Sequence, residues 1–295
     1  MPVSEVFVVK TADREFGVKT LLGQFRMDEF KGRVAIKANF NSADPFPAST
    51  HISTLEELVK GLKGSAVTLA ERSGMGDTGG VLKEMGVLDL AAKHSFKTVV
   101  LNEEEKERWE KIEKGDTHWL RGFCISKEFL EADSVVQTCC LKTHRFGGHF
   151  TLSLKNSVGL VAKRVPGGMY DYMWELHSTP NQRLKIAEIN THYKTDLVLM
   201  DGIKAFITDG PEKGRGVEPN LMLASKDRVA IDAVGVAVLR CCGATGNVAK
   251  GKVFEQDQLR RASELGIGAK SPSDIKIVPL NGVEEAGELE EILKS

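Results

Sequence analysis

The sequence is short of several things, and each shortage closes off a class of function. It has almost no net charge: 40 Lys and Arg against 41 Asp and Glu leave −1 over 295 residues. A dedicated nucleic-acid binder would carry a basic excess, so no nucleic-acid partner is expected. No stretch approaches the ~18 uncharged apolar residues that a membrane-spanning helix needs, so no membrane is expected either. The opening, MPVSEVFVVKTADREFG, lacks a basic start followed by an apolar block. That reads as no signal peptide, and the cytoplasm is the expected location. Cysteine is scarce and oddly placed: there are five, four of them in the adjacent pairs Cys139-Cys140 and Cys241-Cys242. An odd number in a long chain does not suggest a disulfide framework. Zinc ribbons and ferredoxin-type clusters want ligands two or more residues apart, and there is no CxxC, so no iron–sulfur cluster is expected within this chain. The thiols read as core packing.

What is present is alternation. Short β-branched runs at 6–10, 33–40, 65–71, 97–102, 133–140, 195–203 and 274–280 read as strands. Helical patterns fall at 53–62, 79–94, 227–240, 255–265 and about 284–293. Ser53 with Glu56 has capping-box spacing, and Asp227 stands where a cap for 227–240 belongs. The repetition of strand, helix and strand predicts an α/β fold of mostly parallel βαβ units with helices on both faces. The length allows one domain over 1–295 or two lobes. The charged stretch 103–120, EEEKERWEKIEKGDTHWL, breaks the alternation and reads as a surface excursion.

The densest chemistry lies in LKTHRFGGHFTLSLKN, residues 141–156. Lys142, His144 and Arg145 follow a strand, Gly147 and Gly148 permit a tight turn, and a helix is expected to start at Phe150 or Thr151. Lys155 and Asn156 come one turn into that helix. Ligands in parallel sheets gather at strand C-terminal ends, and helix starts favour anions. The reading is a pocket for an anionic small molecule, competing with a solvated basic loop. His144 and His149 are the candidates for a metal or a moving proton. Lys37 and Asn39, at the end of the second strand, are expected at the same edge.

Three further features compete with plainer readings. GMGDTG, with Gly74, Gly76 and Gly79, fits the dinucleotide pattern G-x-G-x-x-G between a strand and a helix. It also fits an ordinary turn, and Asp77 inside it would repel a pyrophosphate. Asp232 is the only polar residue from Val229 to Leu239, in a helix apolar all round. A buried carboxylate must be paired or protonated, and either Arg228 at i−4 or Lys142 or Lys155 could serve. Asp201 ends a strong strand, where α/β enzymes place reacting carboxylates. The loop beyond it, with Gly210, Lys213 and Gly214, could be an anion nest or a mobile turn.

KTHRFGGHFTLSLKNSVGL, MDGIKAFITDGPEKG and LASKDRVAIDAVGVAVL, in that order, resemble domain-of-unknown-function family 362, over roughly residues 33–280. The resemblance implies an α/β protein of prokaryotic cytoplasmic type. Some relatives carry a ferredoxin-like module with two cysteine-rich clusters, which this chain lacks; a ferredoxin-like or other redox partner is what it implies. The expectations divide three ways. An enzyme would hold an anionic molecule or cofactor with Lys142, Arg145 and Lys155, use His144 as acid/base, and orient it with Asp201 or Asp232. A metal protein would use His144, His149 and an aspartate. A non-catalytic partner of a redox enzyme would dock through 103–120. The first requires residues 142, 144, 155, 201 and 232 to share one hollow.

Overall fold

The computed structural model describes residues 3–146 and 149–295; Gly147 and Gly148 lie outside the described residues. The strands are β1 (Ser4–Lys10), β2 (Arg33–Lys37), β3 (Ala66–Glu71), β4 (Lys97–Val100), β5 (Trp109–Ile112) and β6 (Phe123–Ser126). They continue with β7 (Ser134–His144), β8 (His149–Phe150), β9 (Leu197–Phe206), β10 (Gly216–Val217), β11 (Leu221–Ser225) and β12 (Ile275–Pro279). The helices are α1 (Arg14–Leu22), α2 (Ile52–Gly61), α3 (Thr78–Glu84), α4 (Val87–His94), α5 (Lys127–Leu130) and α6 (Ser153–Asn156). After them come α7 (Tyr172–Ser178), α8 (Gln182–Ile189), α9 (Arg228–Cys241), α10 (Asp257–Glu264) and α11 (Ala286–Lys294).

One sheet runs in the order β12-β1-β11-β9-β7-β2-β3-β4. Neighbours are parallel except at β11, which runs against both β1 and β9. The fold is therefore α/β with a mixed, mostly parallel sheet. Its central strands β2, β7, β9 and β11 are buried on both faces, successive side chains pointing to opposite sides. Val34 and Ile36 of β2 and Leu197 and Leu199 of β9 pack under α1 to α4. Val198 and Met200 of β9 meet α9, α10 and α11 on the opposite side. Ala35 and Val135 join a third cluster with Trp119, Phe123, Tyr172 and Leu176.

Local signals explain most element ends. Asp227 Oδ1 accepts from the Val229 and Ala230 amides at 2.8 and 3.0 Å and starts α9. The helix expected over 79–94 is two helices, because Gly86 takes φ 75° between α3 and α4. The capping box expected at Ser53 does not form; α2 starts one residue earlier and His51 Nδ1 caps it through the Ser53 amide. Several elements carry no early signal, among them α1, β6, α7, α8 and the antiparallel β11. The charged stretch 103–120 is not wholly a surface excursion: it forms the β5 edge of a hairpin with β6 and buries Trp109 and Trp119.

The chain order positions the site. From β2 it builds outward through β3 to β4, then crosses back to place β7 on the other side of β2. The crevice between β2 and β7 is thus a topological switch point, where open α/β sheets bind ligands beyond their strand C-termini.

Candidate functional site

β2 ends in Lys37, β3 ends in Glu71 with Arg72 next, and β7 runs on past both, carrying Cys139, Cys140 and Lys142. These ends enclose a hollow of about 60 Å³. Lys37, Arg72, Lys142 and Lys155 all line it, and Glu71 is its one lining carboxylate. Asn39, Asn41, Thr151 and Asn156 complete its polar wall. Four cations against one carboxylate is an unusual balance for a site mostly out of water, because each uncompensated buried ion costs several kcal/mol.

Most of these groups have partners. Lys37 Nζ lies 2.7 Å from Glu71 Oε1, contacts the Ala38 carbonyl and reaches Asn156 Oδ1 at 3.4 Å. Burial lowers the Lys37 ammonium and raises the Glu71 carboxyl, while their mutual attraction works the other way on each. Lys142 Nζ donates to the Pro47 carbonyl at 3.0 Å and to the Ala48 carbonyl. Asn156 Nδ2 donates to the carbonyls of Lys37 and Thr138 at 3.3 and 3.1 Å, pinning α6 to the strand ends.

Two cations are left over. Arg72 gives Nη2 to the Val158 carbonyl at 2.6 Å, but its buried Nε and Nη1 have no hydrogen-bond partner. Burial lowers its guanidinium to about 10. Lys155 is partly exposed as a residue, yet its ammonium is closely surrounded by protein. Burial, then the nearby charges of Arg183 and Lys142, lower it to about 7, with only Glu212 opposing. No hydrogen bond or ion pair reaches it among the described residues.

Asp232 supports this arrangement from outside. Its Oδ1 and Oδ2 accept from the Ser153 and Leu154 amides at 2.8 and 2.9 Å, holding the first turn of α6, from which Lys155 and Asn156 project. Gly235 lets α9 come this close, since a Cβ there would stand 2.8 Å from Leu152 Cδ1. Burial pushes the Asp232 carboxyl up to about 8, against the pull of the two amides. Neither expected partner is used. Arg228 instead donates to Asn190 Oδ1 at 2.8 Å and to the Asn190 and Tyr193 carbonyls.

The expected common hollow is therefore only partly assembled. Lys142 and Lys155 line it with Lys37, Asn39 and Asn156, while His144, Asp201 and Asp232 do not. Asp201 is engaged by Arg14 Nε at 2.8 Å, Thr54 Oγ1 at 2.6 Å and the Ile203 amide at 3.1 Å. His144 is buried, and its Nδ1 accepts from the Phe146 amide at 3.2 Å. Burial, then Lys155 and Arg183, hold its imidazole far below the ordinary range. His149 is lowered to about 4, first by burial and then by Arg183. No group of three or more His, Cys, Asp or Glu among the described residues could hold a metal ion.

The remaining residues are placed as follows. Arg145 pairs with Glu212 on the surface, and Lys213 is exposed. Gly210 and Gly214 serve close backbone approach: a Cβ at Gly210 would stand 2.2 Å from the Thr143 carbonyl oxygen, and one at Gly214 1.9 Å from that of Thr208. At the Gly74, Gly76 and Gly79 turn, Asp77 caps α3, its Oδ2 taking the Gly80 amide at 2.6 Å. Gly74 instead donates to Asn41 Oδ1 at 3.1 Å, which places this turn beside the hollow. Arg72 and Glu71 escaped the sequence reading. Their signal was an adjacent charged pair, Glu71-Arg72, closing an apolar strand.

Fold and hollow together define an α/β protein with a polar, cation-lined crevice at the switch point of a mostly parallel sheet. The chain belongs to the domain of unknown function family DUF362, which matches residues 34–237 and so includes every residue lining the hollow. The match ends short of the 280 expected from the sequence blocks. Among solved structures, the chain is similar to the lactate racemase apoprotein from Thermoanaerobacterium thermosaccharolyticum, at 13% identity and a TM-score of 0.47 over 98% of this chain and 86% of that one. A likeness of that depth carries nothing about reaction or ligand. No curated protein sequence matches significantly. No helix among the described residues is long and apolar enough to cross a membrane.

Proposed function

We propose that the protein binds a small molecule through a carboxylate, phosphate or similar oxyanion held in the hollow between β2, β3 and β7. One observation carries this reading: Arg72, a buried guanidinium lining the hollow, has two nitrogens without a hydrogen-bond partner among the described residues. Native proteins seldom leave buried donors unpaired, and a guanidinium is the side chain best shaped for oxyanions. Lys155 adds a second cation with no partner among the described residues, and Lys37 and Lys142 keep the surrounding potential positive. The volume of about 60 Å³ is small, on the scale of a few waters, so it takes little more than an anionic head group.

Titration calorimetry with sulfate and with phosphate tests this. Wild-type protein is expected to bind either anion at one site per chain. Arg72→Gln, checked for folding by circular dichroism, is expected to weaken binding by about 10- to 100-fold, the worth of a charge-assisted hydrogen bond. Equal affinity in the variant would remove the hollow as the binding site.

A further inference from the structure

We infer that Lys155 is a nucleophilic amine that forms a Schiff base with a small anionic carbonyl compound, an oxo acid or a phosphorylated aldehyde or ketone. The inference rests on the anion site proposed above and specifies what kind of anion it takes.

The hollow has three lysines, and two are occupied. Lys37 is held by Glu71, the Ala38 carbonyl and Asn156, and Lys142 by the carbonyls of Pro47 and Ala48. Their ammonium protons are committed to acceptors, which suppresses nucleophilicity. Lys155 alone has no acceptor among the described residues and faces the shared hollow. Imine formation needs an uncharged amine, and lysines acquire one near neutral pH when they are enclosed and set beside other cations. Lys155 has both conditions, through Arg183, Lys142 and Arg72, and titrates at about 7. The competing nucleophiles in the wall are subdued, because burial raises both the Cys139 and Cys140 thiols and keeps them protonated.

The same cations that free the amine select the electrophile. A neutral carbonyl compound gains nothing from them, whereas a carboxylate or phosphate on the same small molecule answers Arg72. In the reaction the Lys155 nitrogen pair attacks the carbonyl carbon and a C–N bond forms. The carbonyl oxygen then departs as water, taking one N–H proton and one proton from solvent, and leaves an iminium. No electrons change hands.

The test is reductive trapping of the whole protein at neutral pH. Glyoxylate or pyruvate is added with cyanoborohydride, which delivers hydride to any iminium carbon, and modified lysines are mapped by peptide mass spectrometry. The expected result is an adduct concentrated on Lys155 and absent there in Lys155→Arg. Acetaldehyde and acetone, neutral and of similar size, are expected to label Lys155 at least ~10-fold more slowly, the scale on which a focused positive potential concentrates anions. Arg72→Gln is expected to erase that preference. If glyoxylate binds by calorimetry but labels Lys155 no faster than surface lysines, the Schiff-base inference falls and the anion site stands. If glyoxylate neither binds nor labels, both fall. Should Lys155→Arg fail to fold, the wild-type map alone decides.

Discussion

Lys37 Nζ and Glu71 Oε1 sit 2.7 Å apart with both side chains out of water. The pair closes one wall of the hollow and supplies its one carboxylate. Removing one member of a buried pair strands the other. Glu71→Gln is therefore expected to cost about 3–5 kcal/mol of unfolding free energy. Urea denaturation measures it, and Glu71→Gln combined with Lys37→Met should recover much of the loss. Equal stability of Glu71→Gln and wild type would show that the pair does not hold this wall.

Asp232 links the buried helix α9 to the turn that presents Lys155. Asp232→Ala orphans the Ser153 and Leu154 amides, and about 2 kcal/mol of destabilisation is expected. Anion affinity should fall with it, because Lys155 and Asn156 lose their anchor. The carboxyl is raised to about 8 in the folded state, so it holds its proton there more tightly than in the unfolded chain. Its contribution is full at low pH and lost as pH rises through 8. Between about pH 5 and about pH 8, wild type should thus lose stability relative to Asp232→Asn. Urea midpoints across that range measure the difference, and a difference independent of pH contradicts the account.

Lys155 has the opposite sign. Folding lowers its ammonium to about 7, while the unfolded chain keeps its proton to about 10.4. The unfolded state binds more protons between those values, so this group's penalty is full below 7 and relieved as pH rises above it. Anion binding responds in reverse. Sulfate, which does not titrate there, should bind more weakly at about pH 8 than at about pH 6, because Lys155 has given up its charge. Calorimetry at both values should show the slope in wild type and a much shallower one in Lys155→Met.

Gly159 backs directly onto the hollow. A Cβ at this position would stand 2.4 Å from Lys37 Cε and 2.8 Å from Nζ. Gly159→Ala must shift the end of the Lys37 side chain, which is expected to weaken its pairing with Glu71, with about 1 kcal/mol of destabilisation and weaker sulfate binding. Urea denaturation and calorimetry of the same sample test both. Gly216→Ala has open space around its Cβ and should change neither.

The sheet was legible because its strands are short β-branched runs, the central ones buried on both faces. β11 was not, since LMLAS follows a turn and reverses direction without any local mark of it. Gly86 splits a helix whose apolar pattern runs through the break. In the site, Lys37, Lys142 and Lys155 were readable as cations at the ends of buried elements. His144, Asp201 and Asp232 were misplaced for one physical reason: a polar residue beside a site and a polar residue in it look alike along the chain. Asp201 turns to Arg14 and Thr54, and Asp232 turns to backbone amides. Which donor a carboxylate finds is settled by packing across 187 residues for Asp201 and 79 for Asp232.

The most direct measurement is anomalous diffraction from a crystal soaked in selenate, recorded at the selenium edge. The account predicts a peak in the hollow between β2, β3 and β7, with selenate oxygens within hydrogen-bond distance of Arg72 and Lys155. A hollow without selenium, with peaks only on exposed lysines, would contradict it.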